Sequence, residues 1–296
     1  GNAISGTGDF TQGTRPSTCS RNVDAGFSIV SYTGDGVYAT TVGHGLSKAP
    51  EVMINKERDN NQEWIVRLFG IPAFSADADA VGILEGTSKL IAYNVLGYYF
   101  RGGGGAPTST LFGLSQVGEV NQSGVGYIVY CWHSVDGYSK IGKYVGNGHA
   151  SNGTFVHTGF RPSYVMIKSS DFVDIWGIHD VTRSGPNPVD DTLYAHISNA
   201  ESVNDSNVKI SRGLMFCTSN SVHALPVSYT IFSLLSSSAG GLALPGNAIP
   251  SASEIDAIVL AVNIPPQEPA FGHAVSSIFF NSSSEIFPAS YEPTAS

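Results

Sequence analysis

The sequence repeats itself at a fixed offset. Moving it by 112 positions superimposes Ile29 on Ile141, Tyr32 on Tyr144, Gly34 on Gly146, Gly36 on Gly148, Pro50 on Pro162, Lys56 on Lys168, Asp59 on Asp171 and Trp64 on Trp176. Eight identities in order within 36 positions, one of them a tryptophan, are hard to obtain by chance. A period of this kind means that one folding unit is used more than once, so whatever builds residues 27–136 must also build 137–236. Asp136 and Gly137 fit a tight hairpin that ends one copy and begins the next. An arm (1–26), poor in apolar residues, precedes the copies, and a tail (237–296), rich in serine and proline, follows them.

Within each copy the local pattern is strand. FSIVSY (27–32), PEVMINK (50–56), EWIVRLF (63–69), KLIAYNVLGYYF (89–100) and YIVYCWH (127–133) are runs of β-branched and aromatic residues bounded by Gly, Asn, Asp, Ser and Pro. SYVMIKS (163–169), DIWGIHD (174–180) and YTIFSLL (229–235) continue the pattern in the second copy. Charged residues make up only 13 % of the chain, and 34 glycines and 15 prolines favour turns over long helices. The expected fold is all-β: two tandem β-sandwich-like repeats, jelly-roll or lectin-like, with an extended N-terminal arm and an irregular C-terminal tail. In that tail, Ser251 and Glu254 form a capping box before Ile255, Ile258, Val259 and Val262, which fall at helical spacing. The same run is rich enough in β-branched residues to read as a strand.

Several function classes find no footing. The net charge of -9 and the scattered lysines and arginines leave nothing to grip nucleic-acid phosphates. No stretch is long and apolar enough to span a membrane as a helix, and Gly1 to Arg15 lack the basic start and apolar run of a signal peptide, so a soluble chain is expected. Cys19, Cys131 and Cys217 lie far apart without a CxxC and read as buried thiols. The histidines contain no HExxH, and although His149, His157 and His179 share one copy, no metal site and no cofactor are expected. Gly102 to Gly105 lack the closing Lys-Ser/Thr of a phosphate loop and read as a connecting loop or a close backbone approach. GxSxG is absent, and the neighbouring acids (Asp171 with Asp174, Asp190 with Asp191) suit turns better than a hydrolytic pair, so no catalytic residue is assigned.

The repeated pairs Asp59/Trp64 and Asp171/Trp176 carry the most information. A tryptophan near a carboxylate can hold a sugar, the ring stacking on an apolar pyranose face while the acid accepts hydroxyl protons. The same pair also reads as a core anchor beside a turn residue, which is what duplication of a module for its fold would preserve, and this second reading is preferred.

Longer stretches carry a family resemblance. YIVYCWHSVDGYSKIGKYVGNG (127–148), TFVHTGFRPSYVMIKSSDFVDIWGIHD (154–180), Asn187 to Val189, Ser198 to Ser202 and SRGLMFCTSNS (211–221) resemble a module of tail-fibre and other virion proteins of tailed bacteriophages, with its "YTGNG", "GFRPAFVLIKR", "W.I.D..R", "NPVNN.L" and "AE" segments. The likeness is close over 127–236 and diluted over 27–126, where VRLFGIPAFSADADAVGILEGTSK replaces the arginine and the Asn-Pro-Val segment. The resemblance implies a β-rich virion protein, made in the host cytoplasm and carried on the particle, with scaffolding as its role. Its partners would be other virion proteins and copies of itself, a homo-oligomer and by analogy with phage fibres a trimer. A host-surface glycan adhesin is the alternative, and a polysaccharide depolymerase a third.

Overall fold

The computed structural model describes residues 2–4, 12–69, 79–93, 105–147, 153–174, 176–183, 189, 191–203, 207–211, 214–218, 227–235 and 258–260. His149, Gly102 to Gly104, Asn187, Asp190 and all of the tail except 258–260 lie outside these. The first half contains β1 (Asn2–Ile4), β2 (Ser17–Asn22), β3 (Phe27–Thr33), β4 (Thr40–Gly43), β5 (Val52–Glu57), β6 (Ile65–Leu68), β7 (Asp79–Ile83), β8 (Ile91–Tyr93), β9 (Leu111–Leu114), the single-turn helix α1 (Gly118–Asn121) and β10 (Gly126–Trp132). The second contains β11 (Ser139–Gly146), β12 (Thr154–His157), β13 (Pro162–Ser169), β14 (Trp176–Asp180), β15 (Leu193–Tyr194), β16 (Asn207–Ser211), β17 (Leu214–Thr218), β18 (Val227–Leu235) and β19 (Ile258–Leu260). The protein is all-β, and among the described residues its sheets are antiparallel apart from the short β19.

One large sheet runs β1-β2-β3-β10-β5-β6-β7-β8, and a second runs β11-β18-β13-β14-β15. Two smaller ones pair β4 with β9 and set β12-β17-β16 in a row. The arm is less detached than its composition suggests. β2 pairs with β3 from Ser17 opposite Tyr32 to Asn22 opposite Phe27, so backbone hydrogen bonding seats a segment that has few apolar side chains to bury. In the tail, Ile258–Leu260 is extended, following its β-branched composition rather than its helical spacing.

Period-2 alternation explains how the large sheets pack. Along β10, Tyr127, Val129 and Cys131 enter one core with Val30, Tyr32, Met53, Ile65 and the β4/β9 residues Val42, Phe112 and Leu114. Ile128, Tyr130 and Trp132 point the other way, into a core with Val52, Ile54, Val66 and Leu68. That second core also contains Ile141, Met166, Trp176 and Ile178 from the second sheet, so the two large sheets share buried surface face to face. A strand with large apolar residues at both parities must be covered on both faces, and β10 is so covered.

The Gly34 to Gly36 turn is built by polar bonds. Asp35 Oδ1 accepts from the Val37 N–H and from Asn121 Nδ2, and both its carboxylate oxygens accept from Thr40 Oγ1. Asn121 returns a bond, its Oδ1 accepting from the Asp35 N–H at 3.0 Å. Gly34 is required by space: a Cβ there would stand 2.3 Å from the Gln122 carbonyl oxygen.

Candidate functional site

Each large sheet carries a lysine over a tryptophan on the face turned toward the other sheet. The sequence places the lysine on one strand and the tryptophan at the start of the next, eight positions on, so that antiparallel pairing returns the indole beneath the lysine. In the second sheet this is explicit, with Lys168 and Trp176 directly opposite in the β13/β14 register. Lys56 Nζ lies 6.0 Å from the Trp64 ring centroid, and Lys168 Nζ lies 5.8 Å from that of Trp176. Both ammonium groups also donate to a backbone carbonyl at the same place in the intervening turn, Gln62 in one case and Asp174 in the other.

The two couples differ in burial. Trp176 is 0 % exposed, whereas Trp64 is half-buried and stacks on Tyr130 with centroids 6.3 Å apart. Trp176 is locked to the first sheet. Its indole N–H donates to the Ile83 carbonyl at 2.8 Å, and a Cβ on Gly82 would come within 3.1 Å of its ring. Lys168 Nζ donates to the Thr87 carbonyl at 2.9 Å, and the Asp174 N–H donates to the same oxygen at 2.9 Å. The Ile83 to Thr87 turn of the first half is thus gripped by three donors of the second. Burial pulls the Lys168 ammonium down to about 8, with the Asp174 charge opposing that shift.

The acids paired with these tryptophans in the sequence lie elsewhere. Asp59 and Asp171 are both exposed, in the turns that follow β5 and β13. Asp59 Oδ2 accepts from the Gly126 N–H at 2.5 Å, tying its turn to the start of β10. Trp176 has no exposed ring face to offer a sugar. Trp64 is the one of the pair with surface still in reach of solvent.

Two features of this region escape a reading of the sequence by residue type. A lysine is ordinarily an exposed residue, so nothing marks Lys168 as buried except its identity with Lys56 at the repeat offset. The second feature is an ionic knot. Arg183 pairs with Asp180 three residues before it and with Glu201 beyond the β15 segment. The Asp180 carboxylate further accepts from the Thr182 and Arg183 N–H groups at 3.0 and 2.9 Å. The knot gives the Asp180, Arg183 and Glu201 positions a turn-locking role at the end of β14. Leu68 and Ile71 stand at the offset positions of Asp180 and Arg183, so the first copy lacks these charged partners.

Cys19 and Cys131 are buried free thiols, and burial pushes both up, Cys19 to about 11. His44 is buried and pulled down to about 4 by desolvation, its Nε2 3.0 Å from the Thr108 carbonyl. His179 is also buried, its Nδ1 3.3 Å from the Asp191 carbonyl, and His157 is exposed. Among the described residues no group of three or more His, Cys, Asp or Glu side chains is arranged to hold a metal ion. No helix there is long and apolar enough to cross a membrane.

Fold and site together define an all-β protein whose two large sheets are fastened by a buried lysine and tryptophan. The chain belongs to a family described as a domain of unknown function (DUF7483), whose model matches residues 2–228. No curated protein and no solved structure matches it.

Proposed function

We propose that this chain is a structural protein of a tailed-bacteriophage virion, in a tail fibre or associated with the tail, built from two copies of one β-sandwich module that act as a scaffold. The observation that carries the scaffold role is the placement of Trp176 and Lys168. The residues most suited by type to meet a ligand are spent on joining the two halves of the molecule. The phage assignment rests on the sequence resemblance described above.

Strand order supports duplication. The run β3-β10-β5-β6 in the first sheet and the run β11-β18-β13-β14 in the second list their strands in the same relative chain order, and β4 with β9 answers to β12 with β17. The two lysine–tryptophan couples occupy matching places in those orders.

The adhesin alternative rests on Trp64, half-buried beside Lys56. Glycan-array binding and thermal unfolding of the wild type, Trp64→Ala and Trp176→Ala separate the two. A scaffold gives no specific glycan signal, and both variants melt at lower temperature. A glycan signal in the wild type, lost in Trp64→Ala at unchanged melting temperature, would replace the scaffold with an adhesin.

A further inference from the structure

An aspartate followed by glycine can bring its side-chain carboxyl onto the next backbone nitrogen, because glycine has no Cβ to hinder the approach. The chain has two such pairs, Asp35-Gly36 and Asp136-Gly137, and the structure treats them in opposite ways. Asp35 is held. Its carboxylate accepts from the Val37 N–H, from Asn121 Nδ2 and from Thr40 Oγ1, and the Gly36 carbonyl accepts from Gln116 Nε2 at 3.2 Å. To turn its carboxyl carbon onto the Gly36 nitrogen, Asp35 must first give up those bonds. Asp136 is exposed, at the tip of the turn that joins β10 to β11. The Tyr138 N–H donates to the Val135 carbonyl at 3.0 Å, and Gly137 takes a φ of 71°. The flanks of this turn are fastened: Glu51 Oε2 accepts from the Ser134 N–H at 2.8 Å and from Ser134 Oγ at 2.6 Å, the Ile141 N–H donates to Ser134 Oγ at 3.0 Å, and the Val135 N–H donates to the Ser139 carbonyl at 3.0 Å. The tip is free. Among the described residues neither the Asp136 carboxyl nor the Gly137 N–H makes a hydrogen bond, and nothing lies within 4 Å of the place a Cβ on Gly137 would take.

We infer that Asp136 is a site of spontaneous isomerisation to isoaspartate, and that Asp35 is protected from the same reaction by its bonds. The Gly137 nitrogen attacks the carbon of the neutral Asp136 carboxyl, a C–N bond forms, and the amide proton leaves with the carboxyl hydroxyl as water, closing a cyclic imide. Solvent water then opens the ring at either carbonyl. Attack at the side-chain carbonyl restores aspartate, whereas attack at the main-chain carbonyl leaves the chain running through the side-chain carbon with a free α-carboxylate. One water is lost and one is gained, so the mass is unchanged and no further reagent is needed. The product lengthens the backbone by a methylene in the connection between the two large sheets. This site rests on the geometry of the two turns and holds whether or not the chain serves in a virion.

Incubation of the full-length chain in mildly acidic buffer, folded in one sample and unfolded in urea in the other, tests this. Isoaspartate is located peptide by peptide, by enzymatic methylation of its α-carboxylate and by electron-transfer fragmentation, and incubation continues until the urea sample shows it at both Asp-Gly pairs. In the folded chain isoaspartate should accumulate at Asp136 at least about tenfold faster than at Asp35, because Asp35 reacts only from the fraction of molecules in which its turn has opened. In urea the two rates should come together. Asp136→Glu, which lengthens the side chain at an exposed position, should remove the signal from its peptide and leave the fold intact by circular dichroism. Equal rates at the two pairs in the folded chain would overturn the inference. So would a folded Asp136 that stays unmodified while the urea sample reacts.

Discussion

Trp176 is the largest fully buried side chain among the described residues. It is wholly buried between the sheets and donates to the Ile83 carbonyl, which also accepts from the Gly86 N–H at 3.1 Å, so its loss would leave a cavity and remove one of two donors to that oxygen. Trp176→Ala should cost about 3–5 kcal/mol in chemical denaturation, with the half-buried Trp64→Ala costing less. Lys168 gives a pH signature of the opposite kind to a surface ion pair. Its folded value of about 8 lies below the ordinary lysine value of 10.5, so the unfolded chain holds the proton more tightly. The fold therefore bears a penalty while both states are charged, and stability from this group should rise as pH climbs from about 8 toward 10.5. Lys168→Met should flatten that rise in urea titrations between pH 8 and 10, and an unchanged slope would remove Lys168 as its source. Of these residues the tryptophans stand out in the sequence by type and offset. Lys168 stands out by its offset from Lys56 alone, since its burial depends on carbonyls of Thr87 and Asp174, which no side-chain pattern encodes.

At the scale of elements, the strands rich in β-branched and aromatic residues were legible, and FSIVSY, YIVYCWH and SYVMIKS lie within β3, β10 and β13 or overrun them by a single residue. β2 was not, since STCSRN has neither alternation nor bulk, and its place comes from backbone pairing with β3. The pairing of β4 with β9 was equally hidden, because it joins segments 68 to 74 positions apart through Thr40 opposite Leu114 and Gly43 opposite Leu111. The turn glycines were legible for a different reason from the one that proves strongest at Gly34. Its necessity is the 2.3 Å approach a Cβ would make to the Gln122 carbonyl oxygen, and that oxygen is backbone and cannot swing aside. Gly34→Ala should destabilise by about 1–3 kcal/mol, as overpacking against a fixed neighbour does. A melting temperature equal to the wild type's would show that the turn and α1 separate freely.

Across the whole molecule, the core that contains Val52, Val66, Trp132, Met166 and Trp176 belongs to neither large sheet alone. Tryptophan fluorescence should therefore report one cooperative transition for both sheets, and two separated transitions would mean that the shared core contributes little to stability. A chain whose Trp176 and Lys168 are committed to internal fastening suits the scaffold role proposed above. Quantitative mass spectrometry of purified particles from the source culture tests that role most directly. The account expects peptides of this chain to co-purify with the particles through a density gradient at a fixed multiple of the other tail proteins. Recovery of the chain only in the soluble fraction, with none on particles, would contradict it.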